Sequence, residues 1–171
     1  MSEPIGLRQF IETESPALLR FAWALAGDWA TAEDLVQTAL VATWPRWDSL
    51  VRADRPDFYV RKVIVTTFLR WRRRRWNSEI PSVELPRWPD QIDDYGAADT
   101  RQSVLAALMQ LPPRQRAVVV LRYFTDLSEA QTAELLGCSI GTVKRHSHDA
   151  LARLRIEPKL AAILTESRSD D

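Results

Sequence analysis

Four side chains that could contact nucleic acid lie near the carboxyl end of this 171-residue chain: Thr142, Lys144, Arg145 and His148. Hydroxyl and cationic groups of this kind donate hydrogen bonds to phosphate oxygens and to base edges in the DNA major groove. Apolar residues recur among them at helical spacing, at Ile140, Val143, Ala150, Leu151 and Leu154. This pattern predicts a helix that packs its apolar side inward and points the four polar side chains outward.

The residues before this helix predict the element that positions it. Ser128 is suited to cap a preceding helix, with Gln131 at the capping-box position, and Gly137 is suited to a left-handed turn that ends it. Ser139 is suited to cap the following helix. From Leu127 to Leu154 the sequence therefore predicts a helix-turn-helix, whose second helix enters the DNA major groove. The alternative is an ordinary helical hairpin with a solvated basic face.

The charge of the chain is balanced in total but not along its length. The formal net charge is zero. However, Arg61 to Trp76 holds seven basic residues and no acidic one, whereas Asn77 to Thr100 holds six acidic residues and one arginine. The zero sum does not exclude a nucleic-acid binder, because the position of the charges matters more than their total.

Several further features bear on compartment and chemistry. Cys138 is the only cysteine, which favours a reducing cytosol, and no apolar run is long enough to span a membrane.

The sequence has no glycine-rich phosphate loop and no nucleophile with a convincing base. His146 and His148 are two residues apart, a spacing that points helical side chains in different directions and argues against a metal site. We therefore expect a cytoplasmic protein that is not an enzyme and uses no metal or cofactor.

The remaining apolar spacing predicts an all-α protein with two small helical domains. Predicted helices run from Ser15 to Gly27, from about Ala30 to Trp44, from Val60 to Trp76, from Val104 to Leu111 and from Arg114 to Phe124, with a loop from Asp48 to Asp57. Trp23, Trp44 and Trp71 are assigned to the core of the first domain. Between residues 77 and 100 the periodicity stops and three prolines occur, which predicts a flexible acidic linker.

Three segments resemble bacterial sigma factors of the extracytoplasmic-function type. They are A-E-D-L-V-Q-T-A-L at Ala32 to Leu40, Y-V-R-K-V-I-V-T-T at Tyr59 to Thr67 with the W-R-R-R-R-W that follows, and L-P-P-R-Q-R-A-V-V-V-L-R-Y at Leu111 to Tyr123. Together with the helix-turn-helix they cover most of the chain. The resemblance implies sigma domain two at residues 1–77, a linker at 78–100, sigma domain four at 101–160 and a tail at 161–171.

This resemblance implies a promoter-specificity subunit and assigns roles to particular residues. Asp34 and Gln37 would contact the beta-prime coiled coil of core RNA polymerase, and the beta flap is a second expected polymerase surface. Promoter DNA would be contacted at the minus-ten element and during melting by Arg55, Phe58, Arg61, Lys62, Thr66, Arg70, Arg72 and Arg73. At the minus-thirty-five element the contacts would be Arg114, Thr142, Lys144, Arg145 and His148. An anti-sigma factor is left open as a further partner.

Three positions depart from the pattern of the family. Thr66 stands where relatives often carry asparagine, which leaves the base preference of the minus-ten pocket open. His146 and Asp149 stand where basic residues are common, and Asp149 could accept from a cytosine amino group or repel phosphate and turn away.

The acidic linker could thread the RNA path of polymerase or be a solvated tether.

A one-component helix-turn-helix repressor or activator is the alternative function. It would need only the carboxyl-terminal domain. It would therefore leave the basic, aromatic segment from Arg61 to Trp76 without a role.

Overall fold

Helices form all the regular structure in residues 4–76 and 95–154, the parts of the chain that the computed structural model describes. The chain divides into two compact units, Met1–Ile80 and Pro81–Asp171. The first contains α1 (Leu7–Ala26), α2 (Trp29–Thr43), a 3-10 turn (Trp44–Arg46), α3 (Trp47–Arg52) and α4 (Pro56–Trp76). The second contains α5 (Tyr95–Gln110), α6 (Pro113–Val119), a π-helical turn (Val120–Phe124), α7 (Glu129–Leu136) and α8 (Ile140–Leu154). The predicted all-α fold is confirmed.

Among the described helices, none combines the length and the apolar character needed to cross a membrane.

Three helices build the core of the first unit, because α1, α2 and α4 all pack against one another. Gly27 ends α1 in the left-handed conformation, with φ of 83°, and its N–H donates to the Trp23 carbonyl. Asp28 then caps α2 by accepting from the Thr31 backbone N–H at 2.8 Å. The apolar side chains that are almost fully enclosed here include Leu7, Leu18, Leu25, Leu35, Ile64 and Phe68.

Three sequence predictions about the first unit are wrong. Helix α1 begins at Leu7 and not at Ser15, and the segment predicted as a loop contains α3. One side chain explains both differences: Trp47 is buried, its ring lies 5.1 Å from that of Phe10, and its Nε1 donates to the Ile5 carbonyl at 2.8 Å. This packing orders the start of α1 and the residues of α3 together. Trp44, predicted to lie in the core, is 37% exposed.

In the second unit, α8 packs against both α6 and α7. Val118 to Leu121 are buried within α6 and the π-helical turn, so their prediction as helix is confirmed. Helix α5 already begins at Tyr95, so residues 95–100 of the predicted linker are helical. Residues 77–94 of that linker and the predicted tail at 161–171 lie outside the described residues.

A buried arginine joins α5 to α6. The Arg116 side chain is 1% exposed. Its Nε donates to the Leu108 carbonyl at 2.9 Å, and its Nη2 donates to the carbonyls of Met109 at 3.3 Å and Leu111 at 3.1 Å. The last carbonyls of a helix have no partner within the helix. Arg116 therefore supplies donors for the end of α5 and fixes the position of α6 next to it.

Replacement of Arg116 by methionine should destabilise the protein strongly. Methionine fills similar space but cannot donate, so the carbonyls at the end of α5 would remain buried without these partners; we expect a loss of about 2–4 kcal/mol in the free energy of unfolding. Arg114→Met is the matched control, because Arg114 is exposed on the same helix and should change stability by less than about 0.5 kcal/mol. Urea unfolding of both variants measures the difference, and equal losses would contradict this role of Arg116.

Candidate nucleic-acid interface

The helix-turn-helix forms as its sequence predicts. The Ser128 hydroxyl accepts from the Gln131 N–H at 3.1 Å, and the Gln131 side chain accepts from the Ser128 N–H at 2.9 Å, which completes the capping box. Gly137 ends α7 with φ of 66°. Where the helices cross, Val118 of α6, Ala133 of α7 and Val143 of α8 form a buried apolar cluster. This cluster holds α8 by one side only.

The opposite side of α8 is exposed and cationic. Lys144, Arg145 and His148 are all exposed, as the sequence predicts. Lys144 Nζ lies 3.8 Å from a Glu129 carboxylate oxygen at the start of α7, a solvent-exposed pair that contributes little to stability and leaves the ammonium accessible. Thr142 is engaged locally, because its N–H donates to Ser139 Oγ at 3.1 Å and its hydroxyl lies 2.9 Å from the same atom.

The first residue of α8 is more exposed than its prediction. The buried positions of α8 are Val143, Ser147, Ala150 and Leu154. Ile140, which the sequence pattern places on the inner side, is 45% exposed. Helical spacing alone therefore does not determine the burial of this residue at the start of the helix.

His146 and Arg114 lie close enough to influence each other. Burial lowers the pKa of His146 from its usual value of 6.5, the positive charges of Arg145 and Arg114 lower it further, and Asp149 opposes the change. Arg114 is exposed at the start of α6. The packing of α6 against α8 therefore brings the charge of Arg114 near His146.

A second exposed stripe runs along α4. Lys62, Thr66, Arg70 and Arg73 are exposed and recur at helical spacing, so they lie on one side of the helix. The opposite side buries Val60, Ile64, Thr67 and Phe68 against the core. The α4 stripe, defined by those four exposed residues, could hold the phosphates of a nucleic-acid strand.

Two of the predicted cations of α4 lie outside this stripe. The Arg61 side chain is 16% exposed, its Nη1 lies 3.1 Å from the Asp57 carboxylate, and its guanidinium lies 5.8 Å from the centroid of the Phe21 ring. Arg72 is half-buried. Packing within the first unit thus separates Arg61 and Arg72 from Lys62, Arg70 and Arg73.

The loop before α4 places an arginine over an aromatic ring. Asp54 adopts a left-handed conformation with φ of 54°, and the Arg55 guanidinium lies 4.3 Å from the centroid of the Phe58 ring. An arginine and an aromatic ring are both surfaces on which an unstacked base can stack. The Thr66 hydroxyl donates to the Lys62 carbonyl at 2.8 Å or the Val63 carbonyl at 3.2 Å. Its oxygen can still accept a hydrogen bond.

Helix α2 has an outer side that sequence reasoning described only in part. Asp34 and Gln37 are exposed, as predicted, and Val41 and Trp44 recur on the same side at helical spacing. Val41 is 73% exposed and Trp44 is 37% exposed. The α2 face, defined by these four residues, therefore combines polar and apolar groups in the manner of a protein-binding surface. In the sequence, the helical spacing of Val41 from Gln37 already indicates that Val41 lies on this side of the helix.

Two family models match the chain, one in each unit. Residues 10–78 match "Sigma-70 region 2" and residues 101–154 match "Sigma-70, region 4". The first match contains the α2 face and the α4 stripe. The second contains the helix-turn-helix and Arg114.

Curated proteins and solved structures agree with these matches. The chain is 40% identical over 158 residues to "RNA polymerase sigma-E factor" of Streptomyces coelicolor, covering 92% of this chain and 88% of that protein. It is 32% identical to "ECF RNA polymerase sigma factor SigL" of Mycobacterium tuberculosis, covering 91% and 90%. The sigma factor RpoE of Bartonella quintana, solved in complex with the anti-sigma factor NepR, superposes with a TM-score of 0.68 at 27% identity, covering 92% and 96%.

The low pKa of His146 should make the stability of the protein depend on pH. Since the pKa is lower in the folded state than in the unfolded chain, the unfolded chain takes up the proton first as the pH falls below about 6.5. Protonation of His146 therefore does not reduce the free energy of unfolding above that pH, and it reduces it progressively below. Between about pH 7.5 and about pH 5.5, the thermal midpoint of His146→Gln should fall by less than that of the parent. His148→Gln, which changes the other histidine, should behave as the parent does, and identical pH profiles for all three proteins would contradict this role of His146.

Proposed function

The chain belongs to the sigma-70 family as a sigma factor of the extracytoplasmic-function type, and on that premise we propose that α2, α4 and α8 divide the work of promoter recognition. A sigma factor binds core RNA polymerase and directs promoter-specific initiation of transcription. The observation that carries the proposal is the presence of two separate exposed cationic surfaces, the α4 stripe and the outer side of α8. Each lies in a unit that matches a different region of the family.

We propose that α8 positions the protein on duplex DNA at the minus-thirty-five element. Lys144, Arg145 and His148 are exposed donors on a helix that is packed by its opposite side, so the helix can enter a major groove without disturbing its own core. Arg114, at the start of α6, would contact the phosphate backbone beside the groove. Thr142 would act indirectly, by stabilising the first turn of α8, because its hydroxyl is already paired with Ser139.

The α4 stripe would engage the minus-ten element while its strands separate. Lys62, Arg70 and Arg73 offset phosphate charge along one strand, and each neutralised phosphate releases condensed counterions. The Arg55–Phe58 pair would receive a base that leaves the stack, at a cost of about a few kcal/mol for unstacking and unpairing. Thr66 can accept from an exocyclic amino group. Arg61 and Arg72 would support this surface by packing.

The α2 face would bind the beta-prime coiled coil of core polymerase. Asp34 and Gln37 supply polar contacts, and Val41 and Trp44 supply apolar area that the first unit leaves uncovered. The beta flap is proposed as a contact of the second unit. An anti-sigma factor is a further proposed partner, supported by the complex of the related RpoE with NepR.

The alternative of a one-component regulator is less well supported. Such a regulator needs only the second unit, whereas residues 10–78 match a sigma-70 region of their own. We propose that the protein acts in the cytoplasm as a binding subunit and performs no catalytic step itself. The transcription chemistry would belong entirely to core polymerase.

Loss of cations from the α4 stripe should impair strand opening. The double variant Arg70→Ala, Arg73→Ala should form open complexes at least about tenfold less well, because two phosphate contacts are lost on the separating strand. Permanganate footprinting of unpaired thymines, with core polymerase present, measures the loss. A template with a premelted bubble should restore part of the transcription, because the cost of opening is already met.

The charge-matched control is the double variant Arg20→Ala, Arg52→Ala, which removes two exposed cations outside the stripe. It should open linear promoter DNA as the parent does. If both double variants lose opening equally, net charge and not the position of the α4 stripe is responsible. If the parent produces no polymerase-dependent opening, the proposed function itself is wrong.

An unpaired charge on the α2 face should weaken binding to core polymerase. Val41→Lys places an ammonium in the apolar part of the face, and we expect a loss of affinity of about tenfold or more, near 1.4 kcal/mol. Val51→Lys is the matched control, because Val51 is a comparably placed exposed valine on α3, 48% exposed. Fluorescence titration with purified core polymerase compares the two variants. Equal binding by both would exclude Val41 from the interface.

A further inference from the structure

The first turn of α8 exposes an apolar side chain on a cationic surface. Ile140 is 45% exposed, and its spacing from Lys144 and His148 places the three residues on one side of the helix. Cations on this side are suited to a polyanion. An exposed isoleucine one turn before Lys144 calls for an apolar group within the same ligand.

Gly141, the next residue, is exposed and has no role in the fold that requires glycine. A Cβ atom built at this position would meet nothing nearer than Ser139 Oγ, at 3.8 Å. Its backbone is helical, and glycine is among the least favourable residues inside a helix. Alanine would therefore fit within the protein itself, and the packing of the described residues does not account for this glycine.

The polar groups of this turn are already paired. The Ser139 hydroxyl accepts from the Thr142 N–H at 3.1 Å, and the two hydroxyl oxygens lie 2.9 Å apart. The contact between the two hydroxyls uses one of their two hydrogens, which limits polar recognition by these side chains. Ile140 adds an apolar side chain that this pairing does not involve.

The major groove of DNA offers one apolar group of the required kind. Thymine presents its 5-methyl group there, and apolar side chains distinguish thymine from cytosine by contact with it. We propose that Ile140 is a specificity-determining residue that packs on a thymine 5-methyl group, and that Gly141 leaves the clearance for this approach. The inference rests on the proposed entry of α8 into the groove of promoter DNA.

Removal of single methyl groups from the DNA tests the contact directly. The probe is a duplex selected from a random library by the reconstituted holoenzyme, in which each thymine of the upstream element is replaced in turn by deoxyuridine. One replacement should weaken binding by the parent about fourfold, the effect of one buried methyl group. Ile140→Ala should bind the thymine duplex correspondingly less well and should show no further loss on deoxyuridine at that position.

Gly141→Ala separates DNA approach from folding. Its thermal midpoint in the free protein should equal or exceed that of the parent, because alanine favours the helix. Its affinity for the selected duplex should fall at least about tenfold, because the added methyl group blocks close approach. Phe124→Ala is the control for an exposed apolar side chain outside α8, 49% exposed, and should retain the full effect of deoxyuridine.

Three results would overturn the inference. They are indifference of the parent to every deoxyuridine replacement, an equal deoxyuridine effect in the parent and in Ile140→Ala, and unchanged DNA affinity in Gly141→Ala. Failure of the proposed function looks different, because the holoenzyme would then select no duplex over scrambled DNA. The scan on the parent protein requires no variant to fold.

Discussion

The hydrogen bonds of Arg116 are the constraint on which the second unit depends. A guanidinium that is 1% exposed donates to carbonyls of Leu108, Met109 and Leu111, so the end of α5 and the start of α6 are fixed together. Helix α6 in turn supplies Val118 to the cluster that holds α8. Helix α8 is thereby supported from its inner side, and the cationic side chains on its outer side are exposed. Rigid support from behind allows exposed side chains to meet a groove in a defined orientation.

The cations of this protein serve two physical purposes that depend on burial. Arg116 and Arg61 are enclosed and have partners within the fold, the carbonyls of α5 for the first and the Asp57 carboxylate for the second. Lys62, Arg70 and Arg73 are exposed on one side of α4, and Lys144 and Arg145 are exposed on α8. A net charge of zero is compatible with nucleic-acid binding because each of these two helices carries several exposed cations on one side. The number of arginines in a segment therefore does not measure its capacity to bind phosphate.

The first turn of α8 shows how stability and recognition compete for the same groups. Ser139 and Thr142 use their hydroxyls in the cap, which stabilises the turn and commits one of the two hydroxyl hydrogens to the contact between them. The side chains that the cap does not use, Ile140 at the start of the helix and the cations one turn further on, are exposed. Gly141 has the opposite effect to the cap, because glycine lowers the stability of the helix and leaves space next to the helix surface.

The sequence by itself determined the all-α class, the helix-turn-helix with its caps at Ser128 and Gly137, and the family, because these depend on interactions within three to five residues or on motifs in fixed order. Only the tertiary structure decided the start of α1, the presence of α3 and the burial of Trp47 in place of Trp44. It likewise decided which arginines are enclosed and which way Ile140 faces. The physical reason is distance along the chain: Trp47 meets Ile5 and Phe10, and Arg61 meets Phe21, so these contacts exist only after the helices pack. Local spacing fixes the period of a helix, whereas its neighbours fix which side is covered.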